Sequence, residues 1–211
     1  EKEIVLKGTR IAKELDWSGE VLKHARALNS TLPILQFSIH SGCLRALENT
    51  LTKLSLANNK LSCATDDACL FEQVEGLRKL TYLNLRNNTI TVFGMSMVQK
   101  TKHILSANTS GGISLENNPV TEILLSAMTE ILVNSCMQVS NSISDASRVR
   151  VVEMNVCSLA ESTIIDYNLK RFASMTHLDL LGNKIKSLLV LNSFPTTLEH
   201  FDLTGNHIQT L

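Results

Sequence analysis

Aromatic residues make up only 4% of this 211-residue chain, and nine glycines with three prolines are few for a protein turned by many tight hairpins. Long apolar runs are missing as well. No stretch approaches the roughly 18 uninterrupted apolar residues of a membrane-spanning helix. The opening Glu1-Lys2-Glu3 has neither a methionine nor a signal-type apolar region behind it, so the chain is expected to be a fragment or a processed product. Excess charge of one sign is absent: twenty basic residues balance twenty acidic ones. No bulk field draws in a phosphate backbone or an anionic membrane, and nucleic acid is not an expected partner. Metalloprotease H-E-x-x-H, P-loop, G-x-S-x-G and paired C-x-x-C spacings are all lacking, so no catalytic residue, cofactor or metal is expected and the segment reads as non-enzymatic.

What is present is 44% hydrophobic residues, enough for a substantial core, and seventeen asparagines that recur in one setting. The spacing apolar-x-x-apolar-x-apolar-x-x-Asn-x-apolar runs through Leu51, Leu54, Leu56, Asn59 and Leu61, then Leu80, Leu83, Leu85, Asn88 and Ile90. It returns at Met175, Leu178, Leu180, Asn183 and Ile185, and at Leu198, Phe201, Leu203, Asn206 and Ile208. Two copies are imperfect. Ile113, Leu115, Asn118 and Val120 follow Ser110 where an apolar residue belongs, and Val149, Val152, Met154 and Leu159 surround Cys157 in place of the asparagine.

The segments LTKLSLANNKL, LTYLNLRNNTI, MTHLDLLGNKI and LEHFDLTGNHI resemble the leucine-rich-repeat motif, over about residues 51–211. The resemblance implies an α/β solenoid, a leucine-rich-repeat horseshoe with a concave parallel β-sheet and an irregular or helical convex side. It implies little about function, since such repeats serve receptors, inhibitors and scaffolds alike. The physics of the motif is plain: alternate apolar positions face one side of a short strand, and the asparagine sits where the chain bends away. A primary amide both donates and accepts, so Asn59, Asn88, Asn118, Asn183 and Asn206 are expected to form a ladder that satisfies backbone groups at the turns. Convex helices are expected near Asp67 to Val74 and Phe93 to Leu105. The apolar residues Leu124, Met128, Ile131, Leu132 and Cys136 fall at helical spacing and predict an amphipathic helix from Thr121 to Met137. The rival reading makes Met128, Ile131, Val133 and Cys136 a degenerate repeat. Residues 1–50 are expected to be an N-terminal cap, with short helices at Thr9 to Leu15 and Ser18 to Leu28 and a degenerate coil at Leu32, Leu35 and Phe37. Residues 51–211 are expected to hold the repeats, continuing in the natural protein.

Five cysteines are an odd number. Cys63 and Cys69, in LSCATDDAC, are spaced for a disulfide that staples a loop and indicates an oxidising compartment; two unlinked thiols in a cytosolic solenoid are the other reading. Cys43, Cys136 and Cys157 read as core. Sequons at Asn29, Asn87 and Asn108 are glycosylation candidates, although their number is what chance gives.

The variable strand positions point away from the core and offer a ligand face: Lys53, Ser55, Tyr82, Asn84, Arg86, Ser114, Glu116, Glu153, Asn155, His177, Asp179, His200 and Asp202. The same residues would serve merely to keep the sheet solvated. His177 and Asp179 are expected beside His200 and Asp202, a set able in principle to hold a metal but read here as a solvated row. The expected activity is protein or peptide recognition, in an extracellular receptor segment or secreted binding protein. The alternative is a cytoplasmic scaffold or a regulatory subunit of an enzyme. The oligomeric state is not legible.

Overall fold

A computed structural model of the chain describes residues 14–16, 48–59, 61, 72–106 and 112–209. The expected cap helices and degenerate coil, Cys43, the pair Cys63 and Cys69, and the sequons at Asn29 and Asn108 lie outside the described residues. The strands are short and all parallel, as repeating coils require: β1 (Glu14–Asp16), β2 (Lys53–Ser55), β3 (Tyr82–Asn84), β4 (Val92–Gly94), β5 (Gly112–Ser114), β6 (Glu122–Ser126), β7 (Val151–Asn155), β8 (His177–Asp179) and β9 (His200–Asp202). Among the described residues, four α-helices lie between them: α1 (Glu72–Glu75), α2 (Met95–Leu105), α3 (Glu130–Ser140) and α4 (Glu161–Asp166).

These strands make two ladders. One runs β1-β2-β3-β5 and the other β4-β6-β7-β8-β9. The coils from Leu80 and Ser110 each feed both: β3 and β5 enter the first ladder, and the chain after the asparagine turn supplies β4 and β6 to the second. From β7 onward, the repeats enter the second ladder alone. A single apolar core underlies both, from Leu51, Leu54 and Leu83 through Phe93, Ile113 and Ile123 to Val152, Leu178 and Val190. Among the described residues the first ladder ends at β5, where side chains take the place of a further strand. In earlier coils the Leu85 and Asn87 amides donate to the Ser114 and Glu116 carbonyls; at β5 the Leu115 and Asn117 amides donate instead to Ser142 Oγ at 2.8 Å and Ser144 Oγ at 3.0 Å. Two hydroxyls thus satisfy donors that a bare edge would leave open.

At the turns, asparagine amides bond to the backbone of successive coils. Asn88 Nδ2 donates to the Leu56 carbonyl of the preceding coil and to Leu85 of its own, while its Oδ1 accepts from Leu61 N. Asn118 repeats this on Leu85, Leu115 and Ile90 N, Asn183 on Met154, Leu180 and Leu159 N, and Asn206 on Leu180, Leu203 and Ile185 N. Asn59 caps its own turn at Leu56 and Ala57. Cys157 does half the work: its thiol reaches the carbonyls of Leu125 at 3.6 Å and Asn155 at 3.2 Å, but it is a weak donor with one proton to share between them.

A second feature of the same turns escaped the pattern. The residue just before each ladder position is left-handed: Asn58, Asn87, Asn117, Ala127, Val156, Gly182 and Gly205. Asparagine and glycine tolerate that conformation, which explains the Asn-Asn and Gly-Asn pairs; Val156 occupies it against the preference of a β-branched side chain. Asn117 Nδ2 donates to Asn87 Oδ1 and Asn87 Nδ2 to Asn58 Oδ1, so the outer positions form an asparagine ladder of their own.

The helix expected from Thr121 to Met137 is corrected. Residues Glu122–Ser126 are the strand β6, with Ile123 and Leu125 fully buried and their neighbours half-exposed. That is a period of two, which the helical template overlooked. The helix starts only at Glu130, with the Thr129 hydroxyl capping the Leu132 amide. Ile131, assigned to the buried face, is 77% exposed, because the inward face is Val133, Cys136 and Met137. The rival degenerate repeat at Met128 to Cys136 is not formed either; the coil in this stretch begins at Val120. Before it, Phe93 belongs to β4 and the expected helix starts at Met95, while the helix placed at Asp67 to Val74 is described only as α1.

Candidate functional site

Alternation decides which side chains face out. On β3, Leu83 is buried while Tyr82 and Asn84 are half-exposed; on β8, Leu178 is buried between His177 and Asp179. Register then sets neighbours. On the first ladder one row reads Lys53, Tyr82, Gly112 and the next reads Ser55, Asn84, Ser114. Asn84 Nδ2 reaches Ser55 Oγ at 3.4 Å, and its Oδ1 accepts from Arg86 N at 3.0 Å. Arg86 reaches Glu116 across the coils at 3.4 Å, an exposed pair of surface strength. Lys53, Ser55, Tyr82, Asn84, Arg86, Ser114 and Glu116 therefore lie on one face.

The second ladder carries a different surface. One row reads Glu122, Val151, His177, His200 and the next reads Leu124, Glu153, Asp179, Asp202. Ser126 and Asn155 share a third. The two imidazoles lie 4.6 Å apart and tilted by 31°. Asp179 is fixed by two bonds, accepting from Asn155 Nδ2 at 2.9 Å and from Leu181 N at 3.0 Å; Asp202 accepts from Thr204 N at 2.6 Å. Burial pushes the Glu153 carboxyl up, and the carboxylates of Asp179 and Glu122 push it further. Bonding to Thr204 lowers that of Asp202. The strands β7, β8 and β9 form the floor of an open cleft of about 490 Å³, walled by Glu153, His177, Asp179, Glu199, His200 and Asp202.

The expected neighbours His177, Asp179, His200 and Asp202 are thus brought together. Among the described residues, however, no group of three or more His, Cys, Asp and Glu side chains is placed to hold a metal ion. Glu116 and Glu153, by contrast, are not on neighbouring strands, because β7 pairs with β6 and not with β5. The sequence row missed Glu122, Leu124 and Ser126, all on β6; the alternation of Ile123 and Leu125 was the signal that would have found them. No described helix is long and apolar enough to cross a membrane.

Known proteins match parts of this repeat pattern. The family model described as "Leucine Rich repeat" matches residues 76–98 and 194–210. No curated protein matches. Among solved structures, similarity extends to an internalin (inlF) of Listeria monocytogenes str. 4b F2365, at 14% identity over 92% of this chain and 58% of that one, with a TM-score of 0.35. A leucine-rich-repeat protein of Leptospira interrogans is 17% identical over 95% and 54%, with a TM-score of 0.35. TLR13, solved in complex with ssRNA13, is 16% identical over 94% and 30%, with a TM-score of 0.31. The chain therefore spans about a third to three fifths of the length of these proteins. Its turns carry an asparagine ladder, its strands stack in parallel over one apolar core, and the family model falls on two of its repeats: the fold is an α/β leucine-rich-repeat solenoid.

Proposed function

We propose that the chain is a non-enzymatic recognition module that binds a protein or peptide on the outward face of its strands. The observation that carries this is the register: stacked strands hold Lys53, Tyr82, Asn84 and Arg86 side by side on a surface whose opposite face is sealed by the core. An open face of this kind offers rows of polar side chains to an extended partner. Tyr and Arg are the residue types that most often dominate binding energy. Replacing Tyr82 and Arg86 together by alanine is expected to weaken binders selected against the wild-type domain by about tenfold or more, with the melting temperature held within a few degrees. Unchanged affinity across the selected set would move the site off this face.

The setting we propose is extracellular, as part of a receptor or a secreted binding protein. Its support is the spacing of Cys63 and Cys69. An intracellular scaffold or enzyme-regulating subunit is the second reading, favoured by two observations: Cys136 and Cys157 are free and buried, and the Asn87 amide, a sequon site, is engaged by Asn58 and Asn117. Peptide mapping of the native protein without reductant separates the two. A Cys63–Cys69 bridge with glycan on any sequon supports the first; free thiols and bare asparagines support the second.

A further inference from the structure

Charge is arranged differently on the two ladders. The outward strand rows of the first mix both signs: Glu14 and Asp16 of β1 stand in register with Lys53 and Ser55, and Arg86 pairs with Glu116. Those of the second present Glu122, Glu153, Asp179 and Asp202, all half-buried, and no described lysine or arginine forms an ion pair with any of them. Half-burial removes part of the water that would screen these carboxylates, and their spacing on adjacent strands is about 4.8 Å, so they repel one another. Burial first, and then the Asp179 and Glu122 carboxylates, raise the pKa of Glu153. A sheet that needed only solubility has no reason to gather like charges on neighbouring strands without intervening cations. The cleft over β7, β8 and β9 adds a concavity of about 490 Å³ with backbone as its floor. Phe201, in register with Leu178 on β9 and 51% exposed, also lines it.

We propose that the outward face of the second ladder, centred on Glu153, Asp179 and Asp202, binds an extended cationic segment of a partner protein, with arginine or lysine side chains spanning adjacent strands. This rests on the reading of the strand faces as the recognition surface and assigns the partner's chemistry and the half of the solenoid that reads it. Every lysine or arginine seated between two carboxylates replaces a repulsion by two attractions. The fixed orientation of Asp179 and Asp202, each tied to a backbone amide, prepares those acceptors in advance. The His177 and His200 rings flank the row.

The test uses a fluorescein-labelled octapeptide of alternating arginine and glycine, with an alternating glutamate and glycine peptide as control, read by anisotropy on the whole chain at low and high salt. The variant is Glu122→Gln, Glu153→Gln and Asp202→Asn combined; Gln keeps the shape, and Asn keeps the acceptor that Thr204 N requires. The arginine peptide is expected to bind in a salt-dependent manner, the glutamate peptide not to bind, and the triple variant to lose about tenfold, the sum of several surface-strength ion pairs. Equal binding by the triple variant and the wild type, or no binding of the arginine peptide at all, overturns the proposal. The Tyr82→Ala and Arg86→Ala variant is run in parallel. If that variant loses its selected binders while the arginine peptide binds nothing, strand-face recognition stands and the cationic partner is wrong.

Discussion

Single residues set both the strength of the turns and the electrostatics of the face. Ladder asparagines succeed because one amide donates to two coils and accepts from a third group, and Asn183 is the fullest case, accepting from both Cys157 N and Leu159 N. Cys157 keeps weak versions of the donor contacts; burial pushes its thiol pKa up, and pushes that of Cys136 up to about 12. Glu153 gives a pH-dependent test. Its carboxyl holds a proton more tightly in the folded chain than in the unfolded one, because burial and then Asp179 and Glu122 disfavour the charge. The native state thus binds more protons than the unfolded state through the carboxylate range, and stability falls as pH rises through the unfolded and then the raised folded value. Glu153→Gln is expected to melt higher than wild type at pH 7 and to lose that advantage below about pH 4, where both forms are neutral. A variant equally or less stable at neutral pH would show that the row carries no repulsion.

At the scale of elements, β6 is where the sequence misled. Leu124, Met128, Ile131, Leu132 and Cys136 satisfy a helical period, yet the buried set is Ile123, Leu125, Met128, Val133, Cys136 and Met137. Both periods fit the same stretch because it holds a strand and a helix separated by three residues, and a template laid across the join matches partly in each. Repeats with an intact asparagine were legible in full, since turn and strand announce each other; the coil that begins at Val120 has Ala127 and Met128 where Asn-Asn or Gly-Asn stands elsewhere, and it was not seen. The candidate face followed suit. Its rows were readable wherever the repeat was, and the missing row on β6 concealed that Glu122 joins the acidic surface. Ile123→Ala is expected to cost about 2–5 kcal/mol and Leu124→Ala less than about 1 kcal/mol in chemical denaturation. The reverse order would restore the helix.

For the whole molecule, two parallel ladders share one core, and the handover between them occurs in the coils from Leu80 to Ser140, which contribute to both. Such an arrangement gives a repeat protein two strand faces of different charge in place of one continuous surface. Repeat solenoids distribute stability between neighbouring coils, so the place where one ladder stops must be finished locally, and Ser142 and Ser144 do this for β5. Native-state amide exchange reads the handover directly at three positions. In the two-ladder arrangement the Leu115 and Asn117 amides are held by the serine hydroxyls, and the Thr121 amide by the Thr91 carbonyl at 2.8 Å. In a helix starting at Thr121 that last amide is among the first four, which have no partner within the helix. The account predicts slow exchange at all three amides, with Leu115 and Asn117 accelerated in a Ser142→Ala, Ser144→Ala variant; fast exchange at Thr121 and Leu115 in the wild-type protein would contradict it.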